Sequence, residues 1–158
     1  MAITALIIAL LAAAFTGYHV YLAFREQKLR LRPYIFVDNI NTDINTSTDT
    51  IKAELEIKNC GLMTAKNVTI SPVLYLDGIQ MPQMKLEQPH KAMIMPQQIC
   101  KNPVQIKGGI TKVLQGQVNV KIDVRIDYES GGQQYFYKGT YTFFTKPYSW
   151  IFKNGDAN

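Results

Sequence analysis

Residues 118–145 read VNVKIDVRIDYESGGQQYFYKGTYTFFT and carry the clearest structural signal in the sequence. From Val118 to Tyr128 an apolar residue stands at every second position, which is typical of a strand with one buried face. Ser130-Gly131-Gly132 supplies a turn, and residues 133–145 return as a second strand rich in Tyr and Phe. The stretch therefore predicts a long antiparallel β-hairpin.

The residues before this hairpin also follow strand patterns. Residues 51–58 alternate without a break, with Ile51, Ala53, Leu55 and Ile57 on one face. Because no amphipathic helical pattern follows residue 32, we expect a mainly β domain over residues 33–145, an antiparallel β-sandwich of about seven strands. The other expected elements are a strand at Tyr34–Val37, a long polar loop at Asp38–Thr50, a strand at Val68–Leu76 with a turn at Asp77-Gly78, and short edge strands near Ala92–Met95 and Val104–Ile106.

Residues 55–70 read LEIKNCGLMTAKNVTI and resemble a motif of bacterial and archaeal immunoglobulin-like domains of the CARDB-like kind. In that motif one strand ends in Asn-x-Gly, and Ala-x-Asn-Val opens the next strand. Here Asn59 can bond the backbone of the connection, Gly61 can supply a positive φ, and Ala65 is small enough for strands to cross closely. The resemblance implies an immunoglobulin-like sandwich that adheres, spaces or scaffolds, without naming its partner.

Residues 1–24 predict a transmembrane helix, because they contain no Asp, Glu, Lys or Arg. A helix of this length spans roughly 34 Å, enough to cross the hydrocarbon core of a bilayer. Tyr18 and Tyr21 stand near its C-terminal end, where amphipathic rings favour the membrane interface. A cleaved signal peptide is the weaker alternative, since no basic residue precedes the apolar run. A buried amphipathic helix would need polar residues at helical spacing, which the run lacks.

Residues 25–32 form a basic connector between the apolar segment and the β-domain. The chain has a net charge of +5, and without this connector the rest is close to neutral. Nucleic acid is therefore not the expected partner, and lipid headgroups are. The positive-inside rule then places the β-domain in the cytoplasm. The basic side chains expected at the membrane interface are Arg25, Lys28, Arg30 and Arg32.

Residues 146–158 are expected to form an aromatic C-terminal tail that contains the only Trp of the chain. The tail could pack on the sandwich, touch the bilayer or dock a partner. Its candidate partner contacts are Tyr148, Trp150 and Phe152. Two cysteines, Cys60 and Cys100, could form a disulfide outside the cytoplasm or stay reduced inside it, and the sequence leaves both open.

The sequence shows no constellation of residues typical of catalysis or metal binding. A nucleophile triad needs a histidine, and the two present lie in the apolar segment (His19) and in a Pro-rich stretch (His90). Asp38, Asp43 and Asp49 share one polar stretch but lack the spacing of a calcium loop. We therefore expect no catalytic residue, no metal ligand and no cofactor, and we do not expect an enzyme.

These observations together predict a non-enzymatic, membrane-anchored interaction or scaffold module that presents a β-sandwich at the membrane surface. Its expected partners are the lipid bilayer and a membrane-proximal protein or a second copy of the chain. The alternative is a structural membrane protein of a virion or envelope assembly. The sequence does not distinguish a cellular from a viral origin.

Overall fold

The computed structural model describes residues 2–82, 92–146 and 148–157 of the chain. It forms two compact units, Met1–Arg32 and Pro33–Asn158. His90 lies outside the described residues.

The first unit is a single helix, α1, at Ala2–Leu31. Its segment Ile7–Gln27 is long and apolar enough to cross a membrane, and none of that segment is buried within the protein. The predicted N-terminal helix is confirmed, and it extends beyond residue 24 through most of the basic connector. It ends two residues before Pro33, because the residue before a proline disfavours helical backbone angles and the ring would clash with the preceding turn.

The second unit contains nine strands among its described residues, arranged in two antiparallel sheets. The first sheet has the order β1-β2-β6, and the second has the order β4-β3-β7-β8-β9 with β5 also paired to β3. The mainly β fold predicted from the alternating patterns is confirmed. The elements in chain order are β1 Ile35–Asn45, β2 Thr50–Asn59, β3 Ala65–Leu76, β4 Ile79–Gln80, β5 Ala92–Ile94, β6 Ile99–Lys107, α2 Ile110–Leu114, β7 Val120–Ser130, β8 Gln133–Thr145 and β9 Tyr148–Ala157.

The core lies between the two sheets and is built from the apolar positions of the alternating strands. On β7 every second residue from Val120 to Tyr128 is buried, as the sequence pattern predicts. On β2 the buried face carries Ile51, Ala53, Leu55 and Ile57. The two predicted turns are also present, with positive φ at Asp77 and Gly78 and at Gly131 and Gly132, which is the backbone that tight hairpins require.

The prediction of a loop at Asp38–Thr50 is wrong, because most of these residues belong to β1. This strand pairs with β2 from Ile35↔Asn59 to Asn45↔Thr50. A bulge between Val37 and Asn39 inserts one extra residue, so the inward positions shift by one. Ile35 and Val37 face the core before the bulge, and Ile40 does so after it. The shift interrupts the alternation of apolar and polar residues, and therefore the sequence pattern predicts a polar loop in place of this strand.

The C-terminal boundary predicted at residue 145 also differs from the structure. β9 pairs with β8 along nearly its whole length, from Thr145↔Tyr148 to Tyr137↔Ala157. The expected tail is therefore the edge strand of the second sheet. Aromatic residues alternate only over residues 148–152, and most of the strand is exposed, so no buried face extends the pattern along its length.

Asn59 holds together the connection that resembles the immunoglobulin-like motif. Its side chain is fully buried, and its oxygen accepts the backbone N–H groups of Tyr34 and Gly61. Its amide donates to the carbonyls of Met63 and Ile94. The predicted role of Asn59 is confirmed, whereas the positive φ expected at Gly61 is found at Asn67 instead, with φ 51°.

Candidate binding cleft

A cleft of about 1030 Å³ opens along one side of the β-domain, between strands of its two sheets. One wall is β1, the terminal strand of the first sheet, and the other is formed by β8 and by β9, the terminal strand of the second sheet. Each terminal strand pairs with a neighbour on one side only among the described residues. The aromatic cleft, as it is called below, is lined by Tyr34, Phe36, Val37, Asp38, Asn39, Ile40, Asn41, Thr42, Ile44, Leu114, Tyr137, Tyr141, Tyr148, Ser149, Trp150 and Phe152.

The wall formed by β9 presents three aromatic rings on one face. They come from alternate positions of the strand, so they point to the same side of the sheet. Each ring packs on a ring of β8, with Trp150 5.2 Å from Phe143 and Phe152 5.5 Å from Tyr141 between ring centroids. Tyr148 stacks near Phe143 at 6.5 Å. Tyr148 is 65% exposed and Phe152 51% exposed, so both keep a large free surface at the cleft.

The floor of the cleft holds two buried tyrosine hydroxyls. The oxygens of Tyr137 and Tyr141 lie 2.6 Å apart, and Tyr141 donates to the carbonyl of Val37 on β1 at 3.4 Å. Burial raises the pKa of both phenols, and for Tyr141 the hydrogen bond with Tyr137 raises the pKa further. Both groups are therefore neutral at physiological pH and act as hydrogen-bonding groups, not as bases.

Gly139 makes room for this tyrosine pair. It lies between the two tyrosines on the same face of β8, and a Cβ there would lie 2.6 Å from the Tyr137 hydroxyl and 3.0 Å from the Tyr141 ring. Its cross-strand partner is Gly155, where a Cβ would collide with the backbone carbonyl of Lys138. The two glycines therefore leave the space that the Tyr137, Tyr141 and Phe152 rings occupy at the junction of β8 and β9.

A second hydrogen bond joins β1 to the opposite wall, in addition to that from Tyr141 to Val37. The indole N–H of Trp150 donates to the hydroxyl of Thr42 at 2.7 Å, between residues 108 positions apart in the chain. Nearby on β1, Asn39 donates to Asn41, and Asn41 donates to Glu56. The β1 wall is thus polar at its outer edge and apolar toward the core, and the β9 wall is aromatic.

The structure brings all three predicted partner contacts, Tyr148, Trp150 and Phe152, to this cleft. The sequence-based prediction did not include the opposite wall in a binding site. It placed Tyr34 and Phe36 in a strand and Thr42 in a loop, so it gave no reason to bring these residues together. The sequence does contain a signal for this strand. If Asp38 is treated as one inserted residue, the two-residue spacing of Ile35 and Val37 continues to Ile40 and Ile44.

The predicted membrane-interface residues belong to the first unit and to its connector. Tyr18 and Tyr21 are exposed on α1, Arg25 is exposed on the same helix, and Arg32 follows its end half-exposed. The side chains of Lys28 and Arg30 lie outside the described residues.

Several charged side chains of the β-domain outside the cleft have partners within the domain. Asp49 accepts hydrogen bonds from the backbone of Gly109 and Ile110 at the start of the short helix α2. On the outer face of the second sheet, Arg125 pairs with Asp127 and Lys121 pairs with Asp123. No group of three or more potential metal ligands occurs among the side chains that the structure describes. Cys60 and Cys100 are both free thiols.

Comparison with known proteins gives one family. A protein-family model covers residues 1–149, and the family is described as a domain of unknown function. No curated protein matches the sequence. The matched range includes α1 and strands β1 to β8 and stops just before Trp150 and Phe152.

Proposed function

The chain belongs to this family, DUF8453, and we propose that it is a single-pass membrane protein whose β-domain binds a membrane-proximal protein through the aromatic cleft. The observation that carries the proposal is the convergence of exposed rings with two terminal strands. Large aromatic side chains in a concave site are the usual anchors of protein interfaces. The proposed role is binding, without a chemical step.

The membrane part of the proposal is supported by the length and composition of α1. Its segment Ile7–Gln27 could cross a bilayer, and Tyr18 and Tyr21 stand where interfacial rings are favoured. The connector adds four basic residues after residue 24, against none in residues 1–24. These charges support a cytoplasmic position for the β-domain, because basic flanks stay on the cytoplasmic side.

The partner that suits the cleft best is an extended polypeptide segment with large apolar side chains. β1 and β9 are terminal strands, and a terminal strand offers backbone donors and acceptors that an added strand can pair with. The exposed rings of Tyr148 and Phe152 would pack against the apolar side chains of that segment. A second copy of the chain could supply such a segment, and the experiment below separates that case.

Site-specific photo-crosslinking of the full-length protein in its own membrane tests the proposal. We expect a benzophenone amino acid at position 152, inside the cleft, to give one discrete protein adduct. The matched control is position 151, which is exposed on the opposite face of the same strand. In the protein that carries the benzophenone amino acid at position 152, Trp150→Ala should abolish the adduct. It removes the hydrogen bond to Thr42 that joins the cleft walls.

Adducts of equal yield from positions 151 and 152, or no adduct from position 152, would contradict a specific cleft. An adduct of twice the chain mass would identify the partner as a second copy. Peptide mapping of the adduct must place the crosslink within one continuous segment of the partner, because the proposal specifies an extended strand.

A further inference from the structure

The end of the β-domain where the chain enters from the connector exposes several large apolar side chains. Leu62 is 65% exposed, Met95 58% and Met93 54%. Tyr34, Met63 and Ile99 are also exposed. This set of six residues, Tyr34, Leu62, Met63, Met93, Met95 and Ile99, is called the proximal end below.

The hydrogen bonds of Asn59 show that the proximal end is one continuous surface. Asn59 binds the backbone of Tyr34, of Met63 and of Ile94, so it ties the start of β1, the β2–β3 connection and β5 together. The backbone N–H of Gln97 donates to the Asn59 carbonyl at 2.7 Å, which adds the β5–β6 connection. The exposed apolar residues thus come from four neighbouring segments around one buried side chain.

The proximal end follows the apolar helix closely in the chain. Tyr34 is three residues after Leu31, the last residue of α1, and three residues of extended chain span roughly 11 Å at most. A bilayer that held α1 would therefore lie within reach of this end of the domain. Two further residues at this end are basic: Lys58 pairs across the sheet with Ile99, and Lys66 is the second residue of β3.

We propose that the proximal end is a membrane-contact surface, with its apolar side chains seated at the boundary between lipid headgroups and acyl chains. The proposal rests on the membrane anchoring proposed above. Moving leucine, methionine and tyrosine side chains from water to that boundary lowers the free energy of the system. Lys58 and Lys66 would face anionic headgroups. Without such contact, the apolar side chains of the proximal end would remain exposed to water, which is unfavourable.

Such seating fixes the direction of the aromatic cleft. β1 starts at the proximal end with Ile35 and ends at Asn45, which places its far end roughly 33 Å away. Tyr34 and residues of β1 as far as Ile44 line the cleft. With the proximal end on the membrane, the cleft would rise from the lipid surface toward the solvent and open to a partner that stands beside it.

Fluorescence of a dye on Cys60 in the full-length protein tests this surface. Cys60 is exposed and lies between Asn59 and Leu62 at the proximal end, and Cys100→Ser leaves it as the single thiol. The protein is placed at one copy per lipid nanodisc of phosphatidylcholine and phosphatidylserine, with acyl chains brominated in a matched set. We expect a blue-shifted emission and strong quenching by the brominated chains. The double variant Leu62→Ser, Met95→Ser should reduce both effects.

The control carries its only cysteine at the other end of β1, as Thr48→Cys with Cys60→Ser and Cys100→Ser. Thr48 is exposed in the β1–β2 turn, so its dye should show no quenching. A Cys60 dye that resembles the Thr48→Cys control would overturn the membrane-contact surface. A blue shift in dense proteoliposomes that vanishes at one copy per disc would also overturn it, because a second copy would then cover the surface.

Flotation with liposomes separates this inference from the proposed function. If the full chain floats with liposomes and resists extraction while the Cys60 dye stays unquenched, only the contact surface is wrong. If the chain does not float, the membrane anchor itself is wrong, and the contact surface falls with it.

Discussion

The side chain of Asn59 binds four backbone groups that come from neighbouring segments of the β-domain. A buried amide that accepts two N–H groups and donates to two carbonyls uses its full hydrogen-bonding capacity. The sequence motif predicted this role, because an asparagine at the end of a strand can bond the backbone of the following turn. The contacts with Tyr34 and Ile94, distant in the chain, could not be predicted from that local pattern.

Asn59→Ala should therefore destabilise the β-domain strongly. It leaves two N–H groups and two carbonyls without their partner, and each such loss in a buried site costs about 1–3 kcal/mol. We expect a loss of at least about 3 kcal/mol in the free energy of unfolding, measured by chemical denaturation of the full chain in detergent with the strand circular dichroism signal. The control is Asn41→Ala on the surface. A loss at Asn59 no greater than that at Asn41 would refute the role.

The buried tyrosine pair predicts how stability depends on pH. The folded protein raises the pKa of Tyr141 above its ordinary value near 10, so folding favours the neutral phenol. The stability that this provides is complete below pH 10 and is lost as the pH rises above it. We expect the free energy of unfolding to fall above about pH 10 and Tyr141→Phe to flatten that fall. A fall as steep in Tyr141→Phe as in the unchanged protein would contradict this role of the buried pair.

Two strands, β1 after Val37 and the whole of β9, were not predicted from the alternation of apolar and polar residues in the sequence. β7 and β8 were predicted because one face of each strand is buried along most of its length, so the alternation is continuous. In β1 a bulge shifts the inward positions by one residue, and β9 is mostly exposed. Both strands pair with one neighbour, and in each segment the periodic pattern is interrupted or short, so it does not reveal that pairing.

The alternation of β7 gives a direct test of its assigned faces. Ile122 is fully buried between the sheets, whereas Lys121 lies on the outer face beside Asp123. We expect Ile122→Ala to cost about 2–5 kcal/mol of stability and Lys121→Ala to cost less than about 1 kcal/mol. Thermal or chemical unfolding of the full chain measures both. Similar losses for the two variants would show that the strand faces are assigned wrongly.

The junction of β8 and β9 depends on its two facing glycines. Gly139→Ala would place a methyl group against the Tyr137 hydroxyl, and overpacking of this kind costs about 1–3 kcal/mol. Gly17→Ala is the matched control, since no atom lies within 4 Å of its added methyl group. We expect unfolding at lower denaturant only for Gly139→Ala. Equal stability of both variants would contradict the close packing described here.

The division of the chain into a helical unit and a β-domain can be predicted from the sequence alone. A run of 24 residues without Asp, Glu, Lys or Arg does not show the polar–apolar alternation of a half-buried strand, and Pro33 separates it from the β-pattern. The cleft could not be predicted in this way. It depends on how the edges of two sheets approach each other, and its walls meet through Thr42 and Trp150, which are 108 residues apart.

The proposed function requires the β-domain to be tethered to a membrane and to face the cytoplasm. Thiol labelling of the Thr48→Cys protein, with Cys60→Ser and Cys100→Ser, measures both properties in intact cells and in membranes washed with alkaline carbonate. We predict that the protein stays with the washed membranes. We also predict that an impermeant maleimide modifies the single introduced thiol only after the cells are permeabilised. Release by carbonate would contradict the anchor, and labelling of intact cells would contradict the orientation.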